Sequence, residues 1–220
     1  LHNLRQALGE GGKTGALSAQ PGSACSYLLV TPHTVQFNPH SPACLDVREF
    51  DARISAVRQH AHRHLETCAH CTLLLQEAER LYQGDFLASV SLRGCHAFEE
   101  WVLLWRERLR RQFCQALADL VTCYEARDEL RSALELTERW VHVDPLNEAA
   151  QRRLMRLLAL DGQRTQALAR YAGFTKILAT ELGVEPNRES QQLYQRILAE
   201  ESAQTNLPGL PGRLPVPLTP

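Results

Sequence analysis

The sequence predicts an all-α protein: an array of paired helices preceded by one small β-hairpin. Three observations carry that prediction. Apolar residues recur at steps of three and four from residue 46 into the 190s. Strand-like alternation is confined to a short stretch around residues 27–37. The helical part also repeats itself. Tyr124-Glu125-Ala126-Arg127-Asp128 aligns with Leu158-Ala159-Leu160-Asp161-Gly162, and the same offset of 34 residues brings Ala133-Leu134 onto Ala167-Leu168. That offset is the period of tetratricopeptide helix pairs.

Composition sets the outer bounds. At 220 residues, the chain holds one ordinary domain, or a domain with pieces of its neighbours. It is 44% hydrophobic and 22% charged, with 24 basic residues against 25 acidic ones, which excludes a mostly disordered chain and wholesale coating of nucleic acid. No run approaches the roughly 18 apolar residues that span a bilayer. No charged start followed by an apolar stretch marks a secretory signal. The seven cysteines are odd in number and follow no framework spacing, so they read as reduced thiols of a cytoplasmic protein.

In chain order, Leu1, Leu4 and Leu8 share one helical face that Gly9 ends. Nothing precedes them to bury that face, so the chain is expected to open inside a domain. A Gly-, Ser- and Ala-rich loop follows to Ser26. Tyr27 to Val30 and Val35 to Phe37 read as a hairpin about Pro32-His33, and a lone hairpin is only marginally stable in water. From Asp46, with Glu49 three residues on as in a capping box, Val47, Phe50, Ile54 and Val57 mark a helix face. A second helix is predicted over Leu65 to Tyr82, with Leu73, Leu74 and Leu81 on its apolar face, ended by Gly84.

A third and longer helix, Phe98 to Arg127, carries a stripe of Phe98, Val102, Trp105, Leu109, Phe113, Leu117, Leu120 and Tyr124, with Arg106, Arg108, Arg110 and Arg111 mostly facing away. Such an arginine run is read first as a solvated face, and second as a contact for phosphate or an acidic partner. In the repeat, Ala133 and Ala167 let paired helices approach, and Asp128 and Gly162 stand where a turn needs left-handed backbone. Pro145 and Pro186 close the pairs. Glu189 to Ala199 is a capping helix, and the Pro-rich stretch from residue 201 is a linker.

The chemistry is concentrated in one place. Gly12-Lys13-Thr14 lacks both the upstream glycine and the preceding strand of a phosphate loop. No Gly-x-Ser-x-Gly elbow frames Ser89, Ser91 and His96. In contrast, His60 to Cys71 gathers four of the nine histidines and two of the seven cysteines. A Cys-x-x-Cys pair holds a soft cation through two thiolates, and imidazoles complete a tetrahedron. Residues two apart on a helix face opposite sides, so His60 and His62 ligate together only where the helix has unwound. Two readings stand beside each other: one structural zinc on His60, His62, Cys68 and Cys71, or a polar interhelix loop with ordinary thiols. Thiol redox work is a lesser third.

Several segments resemble the SARP/AfsR-type bacterial transcriptional regulators. At the junction between their winged-helix DNA-binding domain and their bacterial transcriptional activator domain these are Leu28-Leu29-Val30-Thr31, Thr34-Val35-Gln36-Phe37-Asn38-Pro39, Leu45-Asp46-Val47 and Phe50. Within the activator domain they are Leu81-Tyr82-Gln83-Gly84-Asp85-Phe86-Leu87, Phe98-Glu99-Glu100-Trp101, Leu154 to Leu160, Tyr171 and Glu181-Leu182-Gly183-Val184-Glu185-Pro186. The resemblance covers residues 27–198 and departs from the pattern at Ala43-Cys44, where aromatics are usual.

Three domains follow from the resemblance: a winged-helix remnant over 1–45, a tetratricopeptide-like activator domain over 46–200 and a linker over 201–220. Leu1 to Leu8 becomes the end of a recognition helix and residues 27–38 its wing, which makes His2, Asn3, Arg5 and His33 the expected DNA contacts. Some members share the His-x-His and Cys-x-x-Cys cluster, which favours His60 and His62 over His64 and His70. The implied partners are promoter DNA through the complete winged helix, RNA polymerase and a second copy of the chain, with no membrane. The implied job is regulatory protein contact without catalysis. The alternatives are a generic repeat scaffold without a promoter role and a zinc-dependent enzyme.

Overall fold

The computed structural model describes residues 27–31, 34–38, 40–41, 43–91 and 94–205. It is an all-α array of helical hairpins with a small β-hairpin, and it divides into two compact units, Leu1–Glu49 and Phe50–Pro220. In the first unit, β1 (Leu28–Val30) pairs antiparallel with β2 (Val35–Phe37) in the register Leu28 to Phe37, Leu29 to Gln36 and Val30 to Val35. The Thr31 N–H donates to the Thr34 carbonyl at 2.8 Å and the two hydroxyls lie 2.7 Å apart, closing the turn. The predicted turn residues Pro32 and His33 lie outside the described residues.

Helix α1 (Asp46–Gln59) begins on Asp46. Its carboxylate accepts from the Val47 N–H at 2.7 Å, so Asp46 is the first helical residue and not the residue before it. Phe50, Ile54 and Val57 are buried, as their spacing predicts. The next segment differs from expectation. A single 3-10 turn, Leu65–Thr67, precedes α2 (Ala69–Leu81), and Cys68 between them is extended at φ −81° and ψ 104°. The helix is shorter than expected and turns a different side inward. Its buried face is Cys71, Thr72, Leu75 and Ala78, while Leu73 is 53% exposed. Cys68 closes the 3-10 turn through its N–H on the Leu65 carbonyl (3.0 Å), and the Cys123 thiol donates to the same carbonyl at 3.6 Å.

Helix α3 (His96–Ala126) runs 31 residues without glycine or proline. Val102, Leu109, Phe113, Leu117 and Leu120 of its predicted stripe are buried. Phe113 is fully enclosed: Tyr82 stacks on it at 4.0 Å and 9°, Phe50 lies 6.5 Å away, and the Arg139 guanidinium sits 5.0 Å above the ring. Burial of a side chain of that size stabilises by about 1.5–3 kcal/mol. Arg139 also donates to the Tyr82 carbonyl at 2.7 Å and pairs with Glu79, fastening α4 (Leu130–Val143) to α2.

The repeat is visible atom by atom. Helices α3 and α4 form one pair, α5 (Glu148–Leu160) and α6 (Arg164–Glu181) the next, and α7 (Arg188–Thr205) covers the end. Ala133 and Ala167 have no exposed surface. Asn147 caps α5, its side-chain oxygen accepting from the Ala150 N–H at 3.1 Å, and Asn187 does the same for Ser190 at 2.9 Å. The Asn187 N–H donates to Glu148 Oε1 at 2.6 Å, tying the start of α7 to α5. Helix α7 continues to Thr205, beyond the expected boundary at residue 200. Residues 201–205 contain neither glycine nor proline, and Glu, Ala and Gln are good helix formers. Residues 206–220 lie outside the described residues.

Candidate metal centre

The chemistry at the exit of α1 starts from backbone geometry. The His60 N–H still bonds the Ala56 carbonyl at 3.0 Å, but the helix has ended at Gln59, and residues 60–64 follow a non-helical path. That unwinding lets two histidines on alternate residues turn to one point. Cys68 and Cys71 arrive from the start of α2, Cys71 in its first turn and fully buried. Thr72 locks this corner: its hydroxyl donates to the Cys68 carbonyl at 2.9 Å and accepts from Arg127 Nη2 at 2.8 Å.

A ring nitrogen of His60, a ring nitrogen of His62 and the Cys71 sulfur lie within 4.8 Å of one another, a grouping that does not take in the expected fourth ligand, Cys68. Cys71 Sγ is 3.3 Å from His60 Nδ1 and 3.6 Å from His62 Nδ1, and Cys68 Sγ is 3.7 Å from His60 Nδ1. With Zn–S near 2.3 Å and Zn–N near 2.05 Å, a tetrahedral ion separates a sulfur from a nitrogen by about 3.5 Å. The three observed separations bracket that value. Burial pushes the Cys71 thiol up to about 11, and the neighbouring Cys68 sulfur adds to the rise. The Cys71 backbone N–H beside Cys68 holds that thiol below its ordinary value.

The other histidines of the cluster turn elsewhere. His64 Nδ1 lies 3.4 Å from Glu66, and the His70 ring packs at an angle on His60 at 4.9 Å. His2, Asn3, Arg5 and His33 lie outside the described residues. The arginine run of α3 is engaged internally. Arg106 donates to the Phe86 and Leu87 carbonyls, both at 2.7 Å, and Arg108 meets Asp51 at 3.0 Å. Arg110 reaches Glu107 at 2.6 Å and Asp144 at 3.6 Å, and Arg111 bonds Glu107 at 2.5 Å.

Sequence reasoning missed a second charged cluster. Arg153 and Arg156 of α5 both hold Glu125 of α3, at 2.8 and 2.7 Å, with Arg152 and Arg196 on the same groove. Its only trace in the sequence is the spacing Arg152-Arg153-x-x-Arg156, which on a helix puts the outer and middle residues on one side. Burial opposes ionisation of Glu125, but the two guanidiniums together outweigh it and hold its carboxyl below the ordinary range.

Comparison with known proteins decides the family. Residues 45–198 match the model of the bacterial transcriptional activator domain. The chain belongs to the bacterial transcriptional activator domain family. The regulator it represents is of the SARP type, consistent with its relatives. Regulatory protein AfsR of Streptomyces coelicolor (strain ATCC BAA-471 / A3(2) / M145) is 36% identical over 140 residues, 63% of this chain and 13% of that protein. Regulatory protein AfsR of Streptomyces griseus is 37% identical over 129 residues, 57% of this chain and 12% of that protein. The activator domain described here thus spans about an eighth of the regulators it matches. Its fold is that of Mycobacterium tuberculosis EmbR, solved in complex with a low-affinity phosphopeptide. That likeness has a TM-score of 0.53 at 19% identity, over 93% of this chain and 51% of that one.

Proposed function

We propose that this activator domain is the non-catalytic protein-contact module of a DNA-binding transcription activator that works in the cytoplasm. In the complete regulator a winged helix, to which residues 1–45 belong, holds promoter DNA through His2, Asn3, Arg5 and His33. The array over 46–200 then contacts RNA polymerase and a second copy of the chain, and 201–220 leads onward. One observation carries the protein-contact reading. On α3, Trp101, Leu103 and Leu104 are 42%, 62% and 72% exposed. Phe86, Phe98 and Trp105 surround Trp101, with ring centroids 5.5, 5.8 and 6.1 Å away, so Trp101 stands on a packed aromatic base, with Leu104 one turn on along the same side and Leu103 further round the helix. Large apolar side chains held rigidly in water mark a protein-contact surface.

The reading includes one structural zinc on His60, His62, Cys68 and Cys71. The sulfur–nitrogen spacings at the exit of α1 support it. Four protein ligands leave no open position for a substrate, which favours a structural role over a catalytic one. Such an ion would pin the end of α1 to the start of α2.

The test uses the complete regulator with Leu103→Ser and Leu104→Ser together. Promoter DNA binding should persist in a mobility-shift assay, while recruitment of RNA polymerase to that DNA should fall. Undiminished recruitment would remove the α3 patch as the contact. A complete winged helix that shifts no promoter DNA would leave a repeat scaffold without a promoter role.

A further inference from the structure

Helices α3 and α5, the first members of successive pairs, and the covering helix α7 line one shared groove of about 570 Å³. Its charged lining is Glu125 from α3, Arg152, Arg153 and Arg156 from α5, and Glu189 and Arg196 from α7. Four guanidiniums therefore face two carboxylates. Glu125 is shared between Arg153 and Arg156, and Arg156 remains 51% exposed while doing so. Arg152 meets Glu189 at 2.9 Å, but that carboxylate is 72% exposed, where water screens the pair and little holds it. Among the described residues Arg196 has no carboxylate partner, and neither does Arg188 at the start of the same helix. The groove thus carries positive charge that its own carboxylates do not neutralise.

We infer that this groove takes an extended glutamate- or aspartate-rich segment of a partner protein. The inference deepens the protein-contact reading above and rests on it. Arginine forks meet carboxylates through two parallel hydrogen bonds, which gives direction as well as charge. A groove formed by consecutive helix pairs suits an extended strand of peptide. The same lining disfavours nucleic acid. Glu125 and Glu189 interrupt the arginines, so an unbroken row of phosphates would meet carboxylates, whereas separate carboxylates on a peptide can fall between them. The amide of Gln192, also on the lining, can bond peptide backbone.

The experiment titrates the 220-residue chain against three fluorescein-labelled probes by anisotropy. These are a short peptide of alternating glutamate and serine, its glutamine counterpart, and a DNA duplex of equal charge. The glutamate peptide should bind at least about tenfold more tightly than the glutamine peptide, the equivalent of one charge-assisted contact, and should weaken as salt rises. Arg196→Glu, which breaks no internal pair, should lower its affinity by a similar factor with the circular dichroism unchanged. Arg156→Gln, which also loosens Glu125, should lower the affinity too. Equal binding of the two peptides overturns the inference, as does indifference to Arg196→Glu or preference for the duplex through the same arginines. A chain that ignores the acidic peptide yet still recruits polymerase through Leu103 and Leu104 overturns the groove assignment and leaves the protein-contact reading standing.

Discussion

Asp128 and Gly162 occupy equivalent turns of successive helix pairs, both in the left-handed region, at φ 59° and 78°. The hydrogen bonds around them correspond. The Glu129 N–H bonds the Tyr124 carbonyl at 2.9 Å, and the Gln163 N–H bonds the Leu158 carbonyl at 2.8 Å. One turn pays for its left-handed residue with strain and the other does not, because glycine adopts that region freely.

Substitutions at the two turns should therefore differ in their effect on stability. Asp128→Gly should leave stability unchanged or raise it by up to about 1 kcal/mol, since relief of strain works against the added freedom of the unfolded chain. Gly162→Ala should lower it by more than about 1 kcal/mol. A Cβ at residue 162 would meet nothing within 4 Å, so that loss would come from the backbone alone. Urea denaturation of both variants measures the pair of changes.

The groove network makes acid stability depend on Glu125. Its carboxyl is held below the ordinary glutamate value of 4.5, so the folded state binds that proton less readily than the unfolded chain. The contribution is complete above pH 4.5 and is lost as pH falls through the lower, folded value. Glu125→Gln should flatten that acid limb while destabilising the protein at neutral pH. Thermal melts over the acid range would show it, and an unchanged limb would count against the network.

Arg106 supports the bridge before α3. It caps the carbonyls of Phe86 and Leu87, and Leu87 itself sits at φ 50°, a region leucine rarely adopts. Arg106→Met should cost about 1.5–3 kcal/mol, the range for lost charged hydrogen bonds. Arg111→Ala, at a side chain 78% exposed, should stay within about 0.5 kcal/mol. Denaturant midpoints of the two variants separate a half-buried clamp from a surface pair.

Zinc, if bound as proposed, stabilises by mass action, about 2.7 kcal/mol when free metal is a hundredfold above its dissociation constant. Chelation should lower the thermal midpoint, and elemental analysis should find one zinc per chain. Cys71→Ser and His60→Ala should abolish both effects, whereas His64→Ala should change neither. The thiols must lose protons to bind metal, and burial holds Cys71 protonated up to about 11. The chelator-sensitive increment should therefore shrink as the solution is acidified. An increment that does not vary with pH would argue against thiolate ligation.

Much of the architecture was legible because it rests on local rules. The stripe Val102, Leu109, Phe113, Leu117 and Leu120 needs only the helical period, and the turn at Gly162 only the chirality of the backbone. The inward face of α2 was not legible. Leu73, Leu74 and Leu75 are consecutive and point to three different sides of a helix, so the period alone did not single out Cys71, Leu75 and Ala78 as the buried row, and a 3-10 turn replaces the first helical turn expected from Leu65. For the candidate site, the spacing of His60, His62, Cys68 and Cys71 named the residues and required an unwound exit from α1. Which histidines turn inward depended on where His64 finds Glu66 and where His70 meets His60.

By itself the sequence determined the helix pairs, their period, the hairpin and the identities of the clustered histidines and cysteines, because each depends on neighbours a few residues apart. Only the tertiary structure decided that Arg106 and Arg110 serve the fold, that Trp101, Leu103 and Leu104 stay uncovered, and that Glu125 meets Arg153 and Arg156 across a groove. Those outcomes join residues far apart in the chain. They depend on how the helices cross, which is settled by the packing of whole faces and leaves no signature in the spacing of any one segment.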